Sequence, residues 1–448
     1  MRTETDIPRT RSVRDRSTRT RTGTTARVLG VLLTLLAALV PLTGATAAAD
    51  DGAPLELILP EPTGPYEVGE ISAHLVDAGR PDPWEPDRSR ELMVSVWYPA
   101  KASDAPRAPW LSPGAASVFE QLMAIPQYLD IPVGSVDWAG AETHARVAAP
   151  VLTKGGKKWP LVLFSAAQGT TRQLNSVQVE DLASRGYVVV TIDHTYESAA
   201  VEFPGGRVVP GKALDRTPET QKISADSRVA DTRFVLDRLT ALSRSKATVF
   251  GGTTLPRGLG KAFSLRDVGM FGHVQGGYTT VESMYHDPRI DAGINLDGEL
   301  AHGTGLGGIP YVPGEAARHG VGRPVLLMGA ERADATGTLV DHNHVNGFDR
   351  SWADFWAAQT GFKRDLTLAD SALDSYADFT FFLPQITAVQ PLDPEIVRLF
   401  IGTVDPTASL TAQRAYIGAF FDRFLKDKDT GLLDGPSSQY PEITFVTD

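Results

Sequence analysis

The chain has 448 residues, of which 42% are hydrophobic and 22% are charged, and it contains no cysteine. This ordinary globular composition excludes disordered, collagen-like and coiled-coil proteins. Without cysteine there is no thiol catalysis, disulfide, iron–sulfur cluster or Cys-ligated zinc. Residues 1–49 carry eight arginines and three acidic residues, so the rest of the chain, with 35 basic and 51 acidic residues, has a net charge of −16. Such a surface repels phosphate backbones, which argues against a nucleic-acid partner.

The first 49 residues have the pattern of a secretory signal peptide. An arginine-rich stretch ending at Arg27 precedes an apolar run at 28–40 and the small residues Ala47, Ala48 and Ala49. A membrane anchor is the competing interpretation, but the run is shorter than the roughly 20 residues that cross a bilayer. We therefore expect residues 1–49 to be cleaved and the mature protein to be secreted without a transmembrane anchor.

The mature chain is predicted to be an N-terminal extension at 50–90 followed by one α/β domain at 91–448. Several of its strands are continuous apolar runs, which is typical of strands buried on both faces. Helices with a 3.6-residue apolar period are predicted at 226–242 and 411–425. Their alternation indicates a mostly parallel sheet with helices on both faces. The predicted strands are 92–98, 160–164, 187–192, 268–271, 292–296, 324–328 and 365–368.

Residues 101–159 interrupt this alternation. The segment contains repeated Pro and Gly and one short amphipathic stretch at 118–123. A segment of this length is more typical of a cap or a substrate-side insertion than of a bare loop. Packing over one edge of the sheet is equally compatible with the sequence.

A catalytic turn is indicated after the strand that ends at Phe271. The sequence Gly272-His273-Val274-Gln275-Gly276-Gly277 follows that strand and precedes a predicted helix. A strand, a tight glycine-rich turn and a helix form the nucleophile elbow, in which glycines flank a residue held in a strained conformation so that its side chain faces a pocket. The residue in that place is Val274, which we expect to have a positive φ.

Together with other segments, this turn resembles the platelet-activating-factor acetylhydrolase type of α/β-hydrolase, including secreted actinobacterial relatives and, more distantly, cutinase-like polyester hydrolases. The resemblance runs from about residue 92 to the C-terminus. It implies an α/β-hydrolase fold with an insertion at about 101–159. The matching segments are 94–100, 180–187, 192–194, the elbow, Asn295-Leu296-Asp297-Gly298 and 378–384.

The departures from this family pattern fall on the catalytic residues. Relatives carry the nucleophilic serine where this chain has Val274, and they carry the catalytic histidine where it has Leu373. Asp297 matches the acid of the triad. Backbone amides of Gln168 and Gln275 match the oxyanion donors of the family.

An acyl-transfer mechanism needs an attacking oxygen and a base within hydrogen-bond reach. Valine has no heteroatom and leucine carries no proton, so we expect a protein that does not hydrolyse esters but keeps a pocket for an ester or lipid. The alternatives are an active carboxylester or lipid hydrolase that uses non-standard residues, and a protein that acts only through its surface. No cofactor or metal is implied. Candidate replacements are the hydroxyls of Ser165, Thr279, Thr280 and Ser283 and the imidazoles of His194, His273 and His286.

Two further expectations concern charged residues. Without an imidazole at position 373, a buried Asp297 would face desolvation without a partner, so its pKa should rise and Asp297→Asn should be neutral or stabilising. The run Asp341-His342-Asn343-His344 places two imidazoles two residues apart, which could bind a metal, but no third ligand is identifiable. A polar surface loop is the prediction for this run.

Overall fold

The structure is a computed structural model that describes residues 52–126, 128–153, 155–305, 308–334 and 338–447. The predicted signal peptide at 1–49 lies outside these residues. Among the helices of the described ranges, none is both long and apolar enough to cross a membrane.

Strands and helices alternate along most of the chain. The strands are β1 (Glu67–Pro81), β2 (Ser89–Ala100), β3 (Arg107–Pro109), β4 (Glu142–Val147), β5 (Trp159–Ser165), β6 (Val188–Asp193), β7 (Ala200–Phe203), β8 (Arg207–Pro210), β9 (Val249–Phe250), β10 (Thr253–Thr254), β11 (Phe263–His273), β12 (Ala292–Leu296), β13 (Ala301–Thr304), β14 (Tyr311–Pro313), β15 (Val325–Gly329), β16 (Glu331–Ala333), β17 (Leu339–Asp341), β18 (Lys363–Leu368) and β19 (Ile443–Phe445). The helices are α1 (Pro113–Met123), α2 (Ser176–Ser184), α3 (Pro218–Arg244), α4 (Leu259–Ala262), α5 (Gln275–His286), α6 (Glu315–His319), α7 (Arg350–Ala358), α8 (Phe379–Val389), α9 (Pro394–Ile401) and α10 (Pro406–Lys426), with a 3₁₀ helix at Leu373–Tyr376.

Eleven of the strands form one sheet in the order β19-β18-β15-β12-β11-β5-β6-β2-β1-β4-β3. The six central strands from β18 to β6 are mutually parallel. All seven predicted strands belong to this sheet, and the parallel arrangement confirms the predicted fold class. Strand β1 lies within the predicted N-terminal extension but pairs with β2 from Glu67 opposite Ala100 to Asp77 opposite Arg90. The sheet therefore begins before residue 91.

Helices cover both faces of the sheet, as the apolar runs predicted. On one face, Val235 and Leu239 of α3 and Val281 of α5 pack into a buried cluster with the strands. On the other face, Leu182 of α2 and Phe420 of α10 contribute to a second cluster. Helices cover both faces of the sheet. A ligand site is therefore expected at the edge where the parallel strands have their carboxyl ends, as in other open α/β sheets.

The 101–159 insertion both widens the sheet and packs beside the C-terminal helices. Strand β4 pairs in parallel with β1, and β3 pairs with β4. Trp110 lies 4.7 Å from the ring centre of Phe382 on α8 and donates a hydrogen bond from Nε1 to Asp378. Since α8 follows the segment that begins at Leu373, the insertion supports that segment as well as the edge of the sheet.

A buried carboxylate on α3 ties this helix to the sheet. Asp231 accepts hydrogen bonds from Nη2 of Arg90 at 2.6 Å and from Nε of Arg90 at 3.1 Å, and it also pairs with Arg80. His194, just after β6, places Nδ1 2.8 Å from the same carboxylate. Burial alone would raise the pKa of Asp231, but Arg90, His194 and Arg80 outweigh it and hold the pKa well below its usual range.

Replacing Asp231 by Ala should lower the free energy of unfolding by about 3–5 kcal/mol at neutral pH, because Arg90 would stay buried without its counterion. The contribution of Asp231 is fully present above its unfolded pKa and is lost as the pH falls through the lower folded value. Urea unfolding measures the difference. The control is Asp226→Ala on the same helix, where an exposed pair with Lys222 should contribute less than about 1 kcal/mol. Equal losses in the two variants would contradict the assignment.

Candidate active site

The elbow adopts the strained conformation that the sequence predicted. Strand β11 ends at His273, α5 begins at Gln275, and Val274 between them has φ 51° and ψ −112°. The Val274 amide donates to the Leu296 carbonyl at 2.8 Å, and its own carbonyl accepts from the Tyr278 amide at 3.1 Å. A β-branched residue with positive φ is a conformational outlier that costs on the order of 1–3 kcal/mol. The surrounding structure therefore holds Val274 in a nucleophile's conformation although the side chain is a hydrocarbon.

Glycines at the elbow are required for close packing. Gly272, Gly276 and Gly277 do not have positive φ, so they do not supply left-handed conformations to the turn. A Cβ at Gly276 would lie 1.8 Å from the Ser165 carbonyl oxygen, and one at Gly277 would lie 2.0 Å from Oδ1 of Asn295. The three glycines thus let the start of α5 approach the ends of β5 and β12.

The structure brings the segments of all three triad positions to one edge of the sheet. Asp297 directly follows β12 and has φ 59°. Its neighbour Gly298 is packed so closely that a Cβ there would lie 2.1 Å from the Val274 carbonyl oxygen. Leu373 opens the 3₁₀ helix, and Nε2 of His273 lies 2.7 Å from its carbonyl oxygen. His273 thus connects the elbow to the segment that carries Leu373.

Asp297 has hydrogen-bond partners that the sequence did not predict. Its Oδ1 accepts from Nδ1 of His342 at 2.7 Å and from the Ala330 amide at 2.9 Å, while its Oδ2 accepts from Nε of Arg332 at 2.8 Å. The other nitrogen of His342, Nε2, lies 2.9 Å from Oδ2 of Asp349. The expectation of an unpartnered carboxylate was wrong, because an imidazole from a different loop occupies the place beside Asp297.

These partners set the charges of the site. Burial alone would raise the pKa of Asp297, but Arg332 and His342 outweigh it and lower the pKa to about 2. Burial alone would lower the pKa of His342, but Asp297 and Asp349 raise it to about 9. His342 is therefore a cation that donates from both ring nitrogens, and it has no free lone pair with which to act as a base.

The prediction of a polar surface loop at 341–344 was also wrong. His342 is completely buried, and His344 is 6% exposed. The ring of His342 stacks on Trp352 at 4.0 Å and that of His344 on Trp356 at 3.9 Å. The two tryptophans are four residues apart on α7 and so share one helix face, which is the sequence signal that could have indicated a buried loop.

Two further carboxyl groups lie near Asp297 and are not held ionised in the same way. Burial, with a smaller contribution from Asp297, raises the pKa of Asp374 to about 7. Burial also raises the pKa of Glu299, although Arg332 opposes the shift. Across the described residues, no three His, Asp or Glu side chains are grouped so that they could hold a metal ion.

Both predicted oxyanion donors remain available. Within the described ranges, the backbone amides of Gln168 and Gln275 donate to no other group of the protein. The turn that carries Gln168 is fixed on both sides, since Nη1 of Arg228 donates to the Ala166 carbonyl at 2.8 Å and the Gly169 amide donates to the Glu197 carbonyl at 2.8 Å. Two free amides beside an elbow can donate hydrogen bonds to the carbonyl oxygen of an ester.

A Ser-His-Asp arrangement, separate from the triad positions, lies behind this turn. Ser165 Oγ is 2.9 Å from Nε2 of His194, whose Nδ1 is 2.8 Å from Asp231. Burial, with a smaller contribution from Arg228, lowers the pKa of His194. Its neutral imidazole can donate from Nδ1 to Asp231 and accept at Nε2 a hydrogen bond from the Ser165 hydroxyl. Ser165 is completely buried and His194 is 1% exposed. These three side chains, the Ser165 relay, have the distances of a catalytic triad, but they are closed to solvent.

The other residues considered as a replacement nucleophile or base are placed less favourably. The hydroxyls of Thr279 and Thr280 donate to the carbonyls of Gln275 and Gly276 within their own helix. His286 lies at the far end of α5, where it pairs with Glu282 at 3.3 Å. Ser283 is completely buried on the same helix.

Val274→Ser should leave the free energy of unfolding unchanged or raise it. Serine tolerates positive φ better than valine does, which offsets the lost methyl contacts of a half-buried side chain. Urea unfolding provides the measurement. Val321→Ser is the control, because Val321 is half-buried but has no positive φ, and it should lose about 1 kcal/mol. A larger loss at position 274 than at 321 would contradict the strain argument.

Asp297→Asn should lower the free energy of unfolding by about 3–5 kcal/mol near pH 5.5, because buried His342 and half-buried Arg332 would each lose one of their two carboxylate partners. Asp297 contributes above its unfolded pKa of 3.8 and loses this contribution as the pH falls through about 2. His342 contributes below its unfolded pKa of 6.5 and loses this contribution as the pH rises through about 9. The difference between parent and variant should therefore be smaller at pH 9.5 than at pH 5.5. Equal stability of the two proteins at pH 5.5 would refute this account.

Comparison with known proteins agrees with this fold. The family model described as "Platelet-activating factor acetylhydrolase, isoform II" matches residues 54–426. A "Probable 1-alkyl-2-acetylglycerophosphocholine esterase" of Arthroderma benhamiae is 30% identical over 88% of this chain and 95% of its own length. A platelet-activating factor acetylhydrolase of Cavia porcellus is 22% identical over 87% of this chain and 84% of its own.

Among solved structures, a ferulic acid esterase from Streptomyces cinnamoneus superposes with a TM-score of 0.65 and 33% identity, covering 86% of this chain and 98% of the esterase. The superposed esterase has the same fold as this chain, and the family model and the relatives carry acetylhydrolase or esterase descriptions. The chain belongs to the platelet-activating factor acetylhydrolase isoform II family.

Proposed function

We propose that this protein is a secreted member of the family that does not hydrolyse esters and uses the site to bind a carboxylic ester, such as that of a lipid. The observation that carries the proposal is Val274, which occupies the elbow in the strained conformation of a nucleophile but has no atom that can attack a carbonyl. The relatives named as esterases and acetylhydrolases support the ligand class.

Hydrolysis fails in this proposal at two separate steps. No oxygen attacks from position 274, and no imidazole at position 373 accepts a proton. His342 cannot take over as the base, because its two ring nitrogens are directed at Asp297 and Asp349. Asp297 is likewise engaged by Arg332, so the acid position serves to balance charge rather than to orient a base.

What supports binding is the part of the machinery that does not depend on the triad. The amides of Gln168 and Gln275 can donate to an ester carbonyl, and the side chains of Val274 and Leu373 give the floor of the site an apolar character. All four residues are half-buried, so a ligand can reach them from the surface. Ground-state binding of an ester needs these donors and this apolar contact, but not a nucleophile.

A weak hydrolase that uses Ser165 is the second candidate function. The distances of 2.9 Å and 2.8 Å in the Ser165, His194 and Asp231 relay favour it, because an activated hydroxyl requires this arrangement. Against it, Ser165 is fully buried, and Nη1 of Arg228 lies 3.4 Å from its Oγ. The turn 166–169 would have to open before an ester could reach this hydroxyl.

A fluorophosphonate probe and a short-chain aryl ester distinguish the two functions. We expect the mature parent chain to be neither labelled nor active. The double variant Val274→Ser, Leu373→His should be labelled at position 274 and should hydrolyse the ester, while Val274→Ala, Leu373→His is the matched control that stays unlabelled. Labelling of Ser165 in the parent chain would contradict the binding function and support the weak hydrolase. Ester hydrolysis by the parent that Ser165→Ala abolishes would do the same.

Binding is tested separately by equilibrium dialysis with 1-alkyl-2-acetylglycerophosphocholine. The parent should bind this ester reversibly without releasing acetate, and Val274→Glu should weaken binding by at least about tenfold, because it places a charge on the apolar floor. Val249→Glu is the control, since Val249 is 51% exposed and lies on β9, which carries none of the elbow, triad or oxyanion positions. Absence of saturable binding to the parent would refute the binding function.

A further inference from the structure

The turn that carries Gln168 is bonded to the loop between β6 and β7 at two points. The Gly169 amide donates to the Glu197 carbonyl at 2.8 Å, and the Ala199 amide donates to the Thr170 carbonyl at 2.9 Å. Both bonds lie within two residues of Gln168, on its C-terminal side. The turn therefore cannot rotate at this end without breaking backbone hydrogen bonds to the loop.

The N-terminal side of the same turn is held by a guanidinium group. Nη1 of Arg228, on α3, donates to the Ala166 carbonyl at 2.8 Å, and Nε of Arg228 donates to the Glu197 carboxylate at 2.6 Å. Arg228 is 1% exposed and Glu197 is 2% exposed, so this ion pair is screened little by solvent. Glu197 thus acts on both sides of the turn, through its carbonyl on one side and through Arg228 on the other.

Neutral donors fix the Glu197 carboxylate itself. Oγ of Ser224 donates to the oxygen that also accepts from Arg228, at 2.5 Å, and Nε1 of Trp84 donates to the other oxygen at 3.2 Å. Ser224 lies on α3 and Trp84 in the connection between β1 and β2. Because donors from two separate segments meet at one carboxylate, its orientation is restricted, and so is the position of Arg228.

The loop between β6 and β7 also contains a strained residue. Tyr196 has φ 69° and is 8% exposed. Such a conformation in a bulky residue persists only where the surrounding structure enforces it, and it is most frequent at functional sites. The Lys212 amide holds Tyr196 by donating to its carbonyl at 2.7 Å. Since Tyr196 directly precedes Glu197, its backbone sets the direction in which the chain reaches that residue.

We propose that Glu197 and Arg228 are positioning residues, which hold the Gln168 amide in place to donate to the carbonyl oxygen of the bound ester. A donor contributes most to affinity when it is fixed before the ligand arrives. Loss of this support should therefore weaken the binding that depends on the ester carbonyl and leave the apolar contact of the ligand unchanged. This role rests on the proposed binding function, because it accounts for a preference of that site for an ester over an ether.

Equilibrium dialysis with 1-alkyl-2-acetylglycerophosphocholine and its 2-ethyl ether analogue, in which a methylene replaces the acetyl carbonyl, tests this role. The mature parent chain should bind the ester about tenfold more tightly, at about threefold for each of two amide hydrogen bonds. Arg228→Met should reduce this preference to about threefold or less and keep the affinity of the parent for the ether. Equal weakening of both ligands, or an unchanged preference, would overturn the proposal.

The matched control is Arg414→Met, because it removes another buried guanidinium group that donates to backbone carbonyls. Arg414 is 6% exposed and donates to the carbonyls of Glu61 and Val177, away from the turn. This variant should keep the preference of the parent for the ester. The same loss of preference in Arg414→Met as in Arg228→Met would assign the effect to general destabilisation and contradict the proposal.

Hydrogen exchange measured by NMR separates failure of this proposal from failure of the binding function. The exchange rate of the Gly169 amide, relative to that of Val190 in the buried strand β6, should rise at least about tenfold in Arg228→Met, because the turn opens locally. It should not change in Arg414→Met. If the parent binds neither ligand, the binding function fails and the exchange ratio decides the positioning role. An unchanged ratio in Arg228→Met would overturn that role.

Glu197→Gln provides a second test in case Arg228→Met does not fold. It removes the charge that orients Arg228 but keeps the backbone carbonyl that accepts from the Gly169 amide. The preference for the ester should fall and the exchange ratio should rise, each by less than in Arg228→Met. A Glu197→Gln protein with the preference and the exchange ratio of the parent would contradict the proposal.

Discussion

The close contact between the start of α5 and the end of β5 is the constraint on which the active-site edge depends. Gly276 meets the Ser165 carbonyl so closely that no side chain fits between them. This contact fixes the elbow against the turn that carries Gln168, and so it sets the distance between the two candidate oxyanion amides. It also holds Val274 in a strained conformation whose only evident benefit in a hydrolase is to present a nucleophile. The scaffold of an esterase is thus kept in a chain with a hydrocarbon at the point of attack.

Charge balance explains how the rest of the site stays folded without a triad. A buried carboxylate stays ionised only if cations and donors offset its lost hydration. At Asp297 this is done by Arg332 and His342, and at Asp231 by Arg90 and Arg80. In an ordinary triad the acid would orient a catalytic imidazole, whereas here its imidazole partner is directed at a second carboxylate, that of Asp349. In the function proposed above, this ion network stabilises the site and does not take part in catalysis.

The buried Ser-His-Asp set and the substituted triad positions together illustrate why geometry alone does not define catalysis. Ser165, His194 and Asp231 have the distances of a relay but no access, whereas the positions of Val274, Asp297 and Leu373 have the location but not the groups. A nucleophile needs both an activated oxygen and space for the substrate beside it. The buried relay is better suited to holding the turn between Ala166 and Gly169, because it anchors the end of β5 directly beneath that turn.

The sequence by itself determined the strands, the elbow and the identities at positions 274, 297 and 373. These follow from local signals, since continuous apolar runs mark strands buried on both faces and a glycine-rich turn between a strand and a helix marks the elbow. The tertiary structure alone decided what lies beside Asp297, because His342 is 45 residues away along the chain and reaches it only when its loop packs on Trp352. The same holds for the pairing of β1 with β2 and for the relay of Ser165 with His194. Such contacts join segments distant in sequence, and no local pattern specifies the charge that a buried group will meet there.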